Sequence, residues 1–142
     1  MSAYPRLVIH CDGAARGNPG PAGAGAYVTT PAGEVVAEIA EGLGETTNNV
    51  AEYTAAILGL ERAAELGASE VLLRSDSQLL VNQLTGRYRV KTAHLRPLYD
   101  RVRALAATFE RVTFEHVRRE GNVDADRLAN VGVDAWLAAR DR

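Results

Sequence analysis

The sequence predicts an α/β domain in which an antiparallel meander of three strands is followed by alternating helices and short strands. Three observations carry this. Up to about residue 43 the chain reads as apolar runs broken by Gly- and Pro-containing turns, without a helical period. From Asn48 onward, apolar residues at three- and four-residue spacing alternate with short apolar runs. A length of 142 residues with 46% hydrophobic content is one domain's worth and builds one sizeable core.

The elements follow in order. Residues 6–12 form a first strand; 23–31 and 34–43 form two more, joined by the turn "TPAGE". The segment "NNVAEYTAAILGLERAAELG" is a helix with Asn48 or Asn49 placed to cap it and Gly67 to stop it. Its apolar residues Val50, Tyr53, Ile57, Leu60 and Ala64 recur at helical spacing. "EVLLRSD", residues 70–76, is a short strand, and helices follow over about 77–84 and 95–109, with Pro97 tolerated in a first turn. "RVTFEHV", 111–117, is a strand, and "GNVDADRLANVGVDAWLAA" a last helix capped by Asn122. No internal repeat, low-complexity tail or linker interrupts them, so residues 1–142 are expected to be a single domain.

Composition narrows the function classes. No window approaches the ~18 consecutive apolar residues that cross a bilayer, and "MSAYPRLVIH" lacks the order of a secretory signal, which points to the cytoplasm and to no membrane partner. Cys11 is the single cysteine, so no intrachain disulfide or cysteine-based zinc cluster is expected, and inside a strand it reads as a small core residue. The net charge of −2 argues weakly against a nucleic-acid partner, but its distribution does not. Arg87, Arg89, Lys91, Arg96, Arg101 and Arg103 face the single acid Asp100 in one segment, either a polyanion footprint or a solvated face.

Four acids stand out by position. Asp12 and Asp76 each end a strand-like run, where open α/β sheets usually place function. Glu52 and Asp126 lie in the opening turns of two helices, where a carboxylate also meets the helix dipole favourably. Ala56, Gly59 and Ala63 continue the Glu52 face with almost no side chain, so that helix can lie close to the sheet and carry Glu52 toward the strand ends. Other chemistries are excluded: "GPAGAGAYV" lacks the third glycine of a dinucleotide fingerprint, and no G-K-S/T follows for a phosphate loop. His10, His94 and His116 offer no plausible partner for a nucleophilic serine.

Taken together, "CDGAARGNPGPAGAGAY", "TTNNVAEYTAAILGL", "LRSDSQLLVNQL" and "REGNVDADRLANVGVD", in this order and at these separations, resemble ribonuclease H type 1 over about residues 5–138. The resemblance implies the ribonuclease H-like fold, a five-stranded mixed sheet flanked by helices. It implies an endonuclease that hydrolyses the RNA strand of RNA–DNA hybrids, leaving 5′-phosphate and 3′-hydroxyl ends. It also implies that Asp12, Glu52, Asp76 and Asp126 are catalytic and hold two Mg2+ ions, for which Mn2+ can substitute. In the family pattern Asp12 bridges both ions, Asp126 helps hold the one that activates water, and Glu52 with Asp76 hold the one at the leaving 3′ oxygen. Without a counter-charge such a quartet would be poorly tolerated, since two carboxylates ~4 Å apart repel by about 4 kcal/mol at an effective dielectric of ~20.

For the substrate, the resemblance places Asn18, Asn48, Asn49 and Gln78 at the RNA minor groove with its 2′-hydroxyls, and Thr47 with neighbouring amides at a DNA phosphate. The small residues from Gly13 to Ala26 are expected to let the nucleic-acid backbone approach Asp12 closely. Two departures from the familiar bacterial pattern follow. The connection "RREGN" carries no His before the last helix, leaving Arg118, Arg119 or Glu120 to substitute, and residues 84–95 leave no room for a basic handle. Both suit the compact branch of the family, some members of which also cut double-stranded RNA. The other readings are a non-catalytic nucleic-acid-binding domain of the same fold, which a missing carboxylate would betray, and a strand-transfer enzyme, which these acid spacings and "TTNN" fit poorly. A monomer is expected.

Overall fold

The structure, a computed structural model, describes residues 3–141. Its strands are β1 (Arg6–Ala15), β2 (Gly20–Thr29), β3 (Val35–Thr46), β4 (Glu70–Ser75) and β5 (Arg111–His116). Its helices are α1 (Asn48–Glu65), α2 (Gln78–Leu84), α3 (Arg96–Ala106) and α4 (Val123–Arg140). The five strands form one mixed sheet in the order β3-β2-β1-β4-β5. The meander β1–β2–β3 is antiparallel, and β4 and β5 add on in parallel. The predicted α/β architecture and the five-stranded mixed sheet are both present.

Several boundaries differ from the sequence reading, among them β3, which runs on to Thr46, and α3, which ends at Ala106; two at the first hairpin differ for one reason. The first strand continues past Asp12 to Ala15, and the second begins at Gly20, because 13–15 pair with 22–24 across the hairpin. Small residues leave the backbone free to hydrogen-bond but give no alternation to read. The helix cap also differs. Thr47, not Asn48 or Asn49, caps α1, its hydroxyl accepting the Val50 N–H at 3.2 Å. Gly67 follows the end of the helix at φ +83°, as its position suggested.

The sheet is covered on both faces, by α1 and α3 on one and by α4 on the other. Leu7, Ile9 and Cys11 of β1, Val28, Leu73, Tyr53 and Leu60 lie in the core under α1, all at most 1% exposed. Each fully buried large apolar side chain contributes about 1.5–3 kcal/mol, which gives the fold margin to hold charged groups at its edge. The Tyr53 hydroxyl donates to Gln83 Oε1 at 2.5 Å, a buried bond that pins α2 to α1.

Glycine decides how near the helices come. A Cβ on Gly13 would stand 2.4 Å from the backbone of Ala51 and Glu52, and one on Gly25 would stand 2.4 Å from Ala125 O and Ala129 N. The Gly/Ala composition after Asp12 therefore lets α1 and α4 press their backbones onto the sheet. This gives these small residues a packing role that the sequence reading did not foresee, while Gly13, Ala14 and Ala15 also line the cleft beside Asp12. The stripe Ala56, Gly59 and Ala63 behaves as predicted, with Ala56 and Ala63 fully buried and Gly59 against Ile9.

Candidate active site

Strand register brings the first two acids together. The parallel pairing of β1 with β4 ends at Cys11 opposite Ser75, so Asp12 and Asp76 are the next residues on neighbouring strands about 4.8 Å apart. The close approach at Gly13 sets Glu52 beside them. Oxygens of Asp12, Glu52 and Asp76 all lie within 4.8 Å of one another. Asp126, in the first turn of α4, lies outside that triplet but within hydrogen-bonding reach of Asp12. Asp12 is thus the acid common to both groupings.

The four acids line one cleft of about 360 Å3, together with Gly13, Asn48, Ser77 and Arg119. Asp12 and Glu52 are 5% and 4% exposed, so water screens them poorly. Burial, and then the charge of Asp76, pushes the Asp12 carboxyl up to about 7. Burial and Asp12 push Glu52 well above the ordinary carboxylate range. Glu52 Oε2 is buried and has no hydrogen-bond partner in the protein. An unpaired buried carboxylate oxygen facing two further carboxylates is the donor set a hard divalent cation requires.

Asn122 connects the two sides of this cleft. It is 1% exposed, and its Nδ2 donates to the carbonyl of Cys11 at 2.9 Å, one residue before Asp12. Its own carbonyl accepts the N–H of Asp126 at 3.1 Å. Asn122 does occupy the cap position of α4, but its side chain caps nothing and reaches the sheet instead. The sequence reading missed this, because a cap and a cross-link share the same residue type.

The comparisons with known proteins point one way. A family model described as reverse transcriptase-like matches residues 10–132. A ribonuclease H of Alcanivorax borkumensis is 35% identical over 142 residues, covering 90% of this chain and 91% of that protein. The chain belongs to the ribonuclease H family. A bifunctional protein of Mycobacterium tuberculosis is 49% identical over 131 residues, and the match covers 92% of this chain but only 36% of that protein. The solved N-terminal ribonuclease H domain from that bacterium, fused to maltose binding protein, superposes with a TM-score of 0.91 at 47% identity, covering 95% of this chain and 98% of the other. A ribonuclease H1 designated LC11, solved in complex with an RNA/DNA hybrid, has a TM-score of 0.88 at 40% identity, covering 92% and 99%.

The remaining predicted residues of this ribonuclease H chain are not all in the cleft. Asn48 and Gly13 line it. Asn18 lies on the exposed β1–β2 turn, where its Oδ1 accepts the Asn48 N–H at 3.1 Å. Thr47 is the cap of α1, and Asn49 is half-buried in its first turn. Gln78 lines a separate groove of about 430 Å3 with Asn82, Thr85, Arg87, Glu115 and His116. Of the three candidates to replace the missing His, Arg119 lines the acid cleft and Arg118 and Glu120 do not. The basic segment is divided: Arg96 pairs with Asp100, Arg101 with Glu61, and Arg103 donates to Leu84 O. Arg87, Arg89 and Lys91 are exposed and form no ion pair among the described residues.

Proposed function

We propose that this chain is an endonuclease that hydrolyses the RNA strand of RNA–DNA hybrids with two divalent cations, magnesium in the first instance, leaving 5′-phosphate and 3′-hydroxyl ends. One observation carries the reading: Asp12, Glu52 and Asp76 cluster within 4.8 Å of one another, and Asp126 lines the same cleft. Family membership supports it, as does the hybrid bound to LC11 ribonuclease H1. Because this chain matches about a third of the mycobacterial protein's length, activities of the rest of that protein do not transfer.

Asp12, Glu52 and Asp76 would hold one ion, and Asp12 with Asp126 the other. When bound, paired divalent ions neutralise phosphate charge and activate water for in-line displacement at phosphorus. The protein's part is to hold the four acids in a partly dry cleft before substrate arrives, so that little reorganisation is needed at the moment of reaction. Arg119 offers a rigid fork of N–H donors and no acceptor. At the rim it binds the phosphate, and does not carry a proton as the family's loop His is expected to do.

Recognition of the RNA strand falls to Gly13, Asn18, Asn48, Asn49 and Gln78, whose polar groups reach 2′-hydroxyls and base edges, with Thr47 at a DNA phosphate. Arg87 shares the groove of Gln78, and the unpaired Arg89 and Lys91 extend the positive surface beyond it. All four acids come from one chain, so the proposed active unit is a monomer. No helix of the described residues is long and apolar enough to cross a membrane, and we place the activity in the cytoplasm.

The test is initial-rate cleavage of an end-labelled hybrid, duplex RNA and duplex DNA of one sequence, each with and without a chelator. Chelator-sensitive cutting confined to ribonucleotide-containing strands is expected. Efficient cutting of duplex DNA would overturn the 2′-hydroxyl assignment. No metal-dependent cutting of any substrate would favour the non-catalytic binding domain.

A further inference from the structure

Where α4 begins, beside β1, lies a small pocket of about 60 Å3, partly open to solvent and lined by His10, Tyr27, Gly121, Asn122, Val123 and Asp124. Two of the residues that line it each carry a buried polar atom without a hydrogen-bond partner in the protein, His10 Nδ1 and Asn122 Oδ1. A buried polar atom left unsatisfied costs about 1–3 kcal/mol, so two on residues lining one pocket demand an explanation. A water occupies ~30 Å3 of liquid volume and requires two or more polar partners, both of which this pocket offers.

The other half of the Asn122 amide makes the pocket relevant to chemistry. Its Nδ2 is committed to Cys11 O, so the Oδ1 direction is fixed and cannot turn to another protein group. The cross-link joins the residue before Asp12 to the residue whose carbonyl receives the Asp126 N–H. One side chain therefore ties the backbone beside Asp12 to the first turn of α4, in addition to the close packing of α4 at Gly25. We infer that Asn122 is a positioning residue for the proposed cation site, with its amide held in place by a water that bridges Asn122 Oδ1 and His10 Nδ1.

This inference rests on the cation reading above, and the experiment separates the two. Mn2+ is titrated calorimetrically into the free protein, without nucleic acid, for the wild type, Asn122→Leu and Leu105→Ala. Leucine keeps the branched shape of asparagine and removes both polar groups, whereas Leu105→Ala loosens the core at α3, remote from the acids. Asn122→Leu should weaken Mn2+ binding about ten-fold, the scale seen when a group that orients metal ligands is lost. Leu105→Ala should lower the melting temperature and leave Mn2+ affinity unmoved. Unchanged affinity in folded Asn122→Leu overturns the positioning role; absence of Mn2+ binding by the wild type overturns the cation reading itself. If Asn122→Leu does not fold, His10→Phe, which fills the pocket and expels the water, takes its place, and wild-type Mn2+ affinity there counts against the inference. A crystal structure of the wild-type protein at a resolution that shows ordered water should place one between His10 and Asn122. A dry pocket contradicts the bridge.

Discussion

The side-chain oxygen of Asn18 accepts the backbone N–H of Asn48 at 3.1 Å, tying the β1–β2 turn to the first residue of α1. Helix N-termini leave four N–H groups unpaired, and two of those here are taken by Asn18 and by the Thr47 hydroxyl. A residue expected at the RNA thus also shapes the surface that meets it, since Asn48 lines the acid cleft.

Asn18→Ala removes this tie and a polar group from the proposed RNA surface. A neutral hydrogen bond is worth about 1 kcal/mol, or roughly five-fold in affinity. The KM for hybrid should rise by about that factor while Mn2+ affinity of the free protein stays constant. A collapse of kcat at unchanged KM would instead place Asn18 in the support of the acids.

The basic segment yields a sharper prediction than its composition did. Only Arg87, Arg89 and Lys91 remain available, since the arginines of α3 are engaged within the protein. Replacing the three by Ala should weaken hybrid binding and reduce the slope of log affinity against log salt by up to about one per lost phosphate contact. An unaltered slope would make them ordinary solvated surface. Replacing Arg96 or Arg101 should leave the slope as it is.

Burial of like charges predicts an unusual pH dependence for the metal-free protein. Asp12 titrates near 3.8 when unperturbed and is pushed up to about 7 in the fold, and Glu52 moves in the same direction. Between those limits the folded state binds more protons than the unfolded chain, so stability falls as pH rises from about 4 to neutrality. In chelator, the melting temperature should be lower at pH 8 than at pH 5.5, and added Mg2+ should restore most of the difference at pH 8 by binding the ionised acids. A melting temperature independent of pH in chelator would contradict the electrostatics described for this cleft.

Much of this was legible in the sequence, and the failures have physical causes. Asp12 and Asp76 could be found because apolar β-runs ending on an acid are visible along the chain, and Glu52 because its Ala/Gly stripe announces close packing. A second reason for the Gly-rich stretch is not legible along the chain. Gly13 and Gly25 leave room for helix backbones, a partner that appears only once α1 and α4 are in place. Thr47, Asn48 and Asn49 are adjacent cap formers, and spacing alone does not choose among them. Asn122 was seen as a cap, whereas its bond to Cys11 spans 111 residues and leaves no local pattern.

The central claim is that the acid cluster around Asp12 performs the cleavage, and Asp12→Asn tests it most directly. The substitution preserves shape and removes one negative charge, so attraction to phosphate is not weakened. Cleavage and binding of a labelled RNA–DNA hybrid are to be measured side by side in Mg2+ for wild type and Asp12→Asn. The account predicts hybrid bound at least as tightly by the variant, with cleavage lost to background. Wild-type turnover by Asp12→Asn would contradict it.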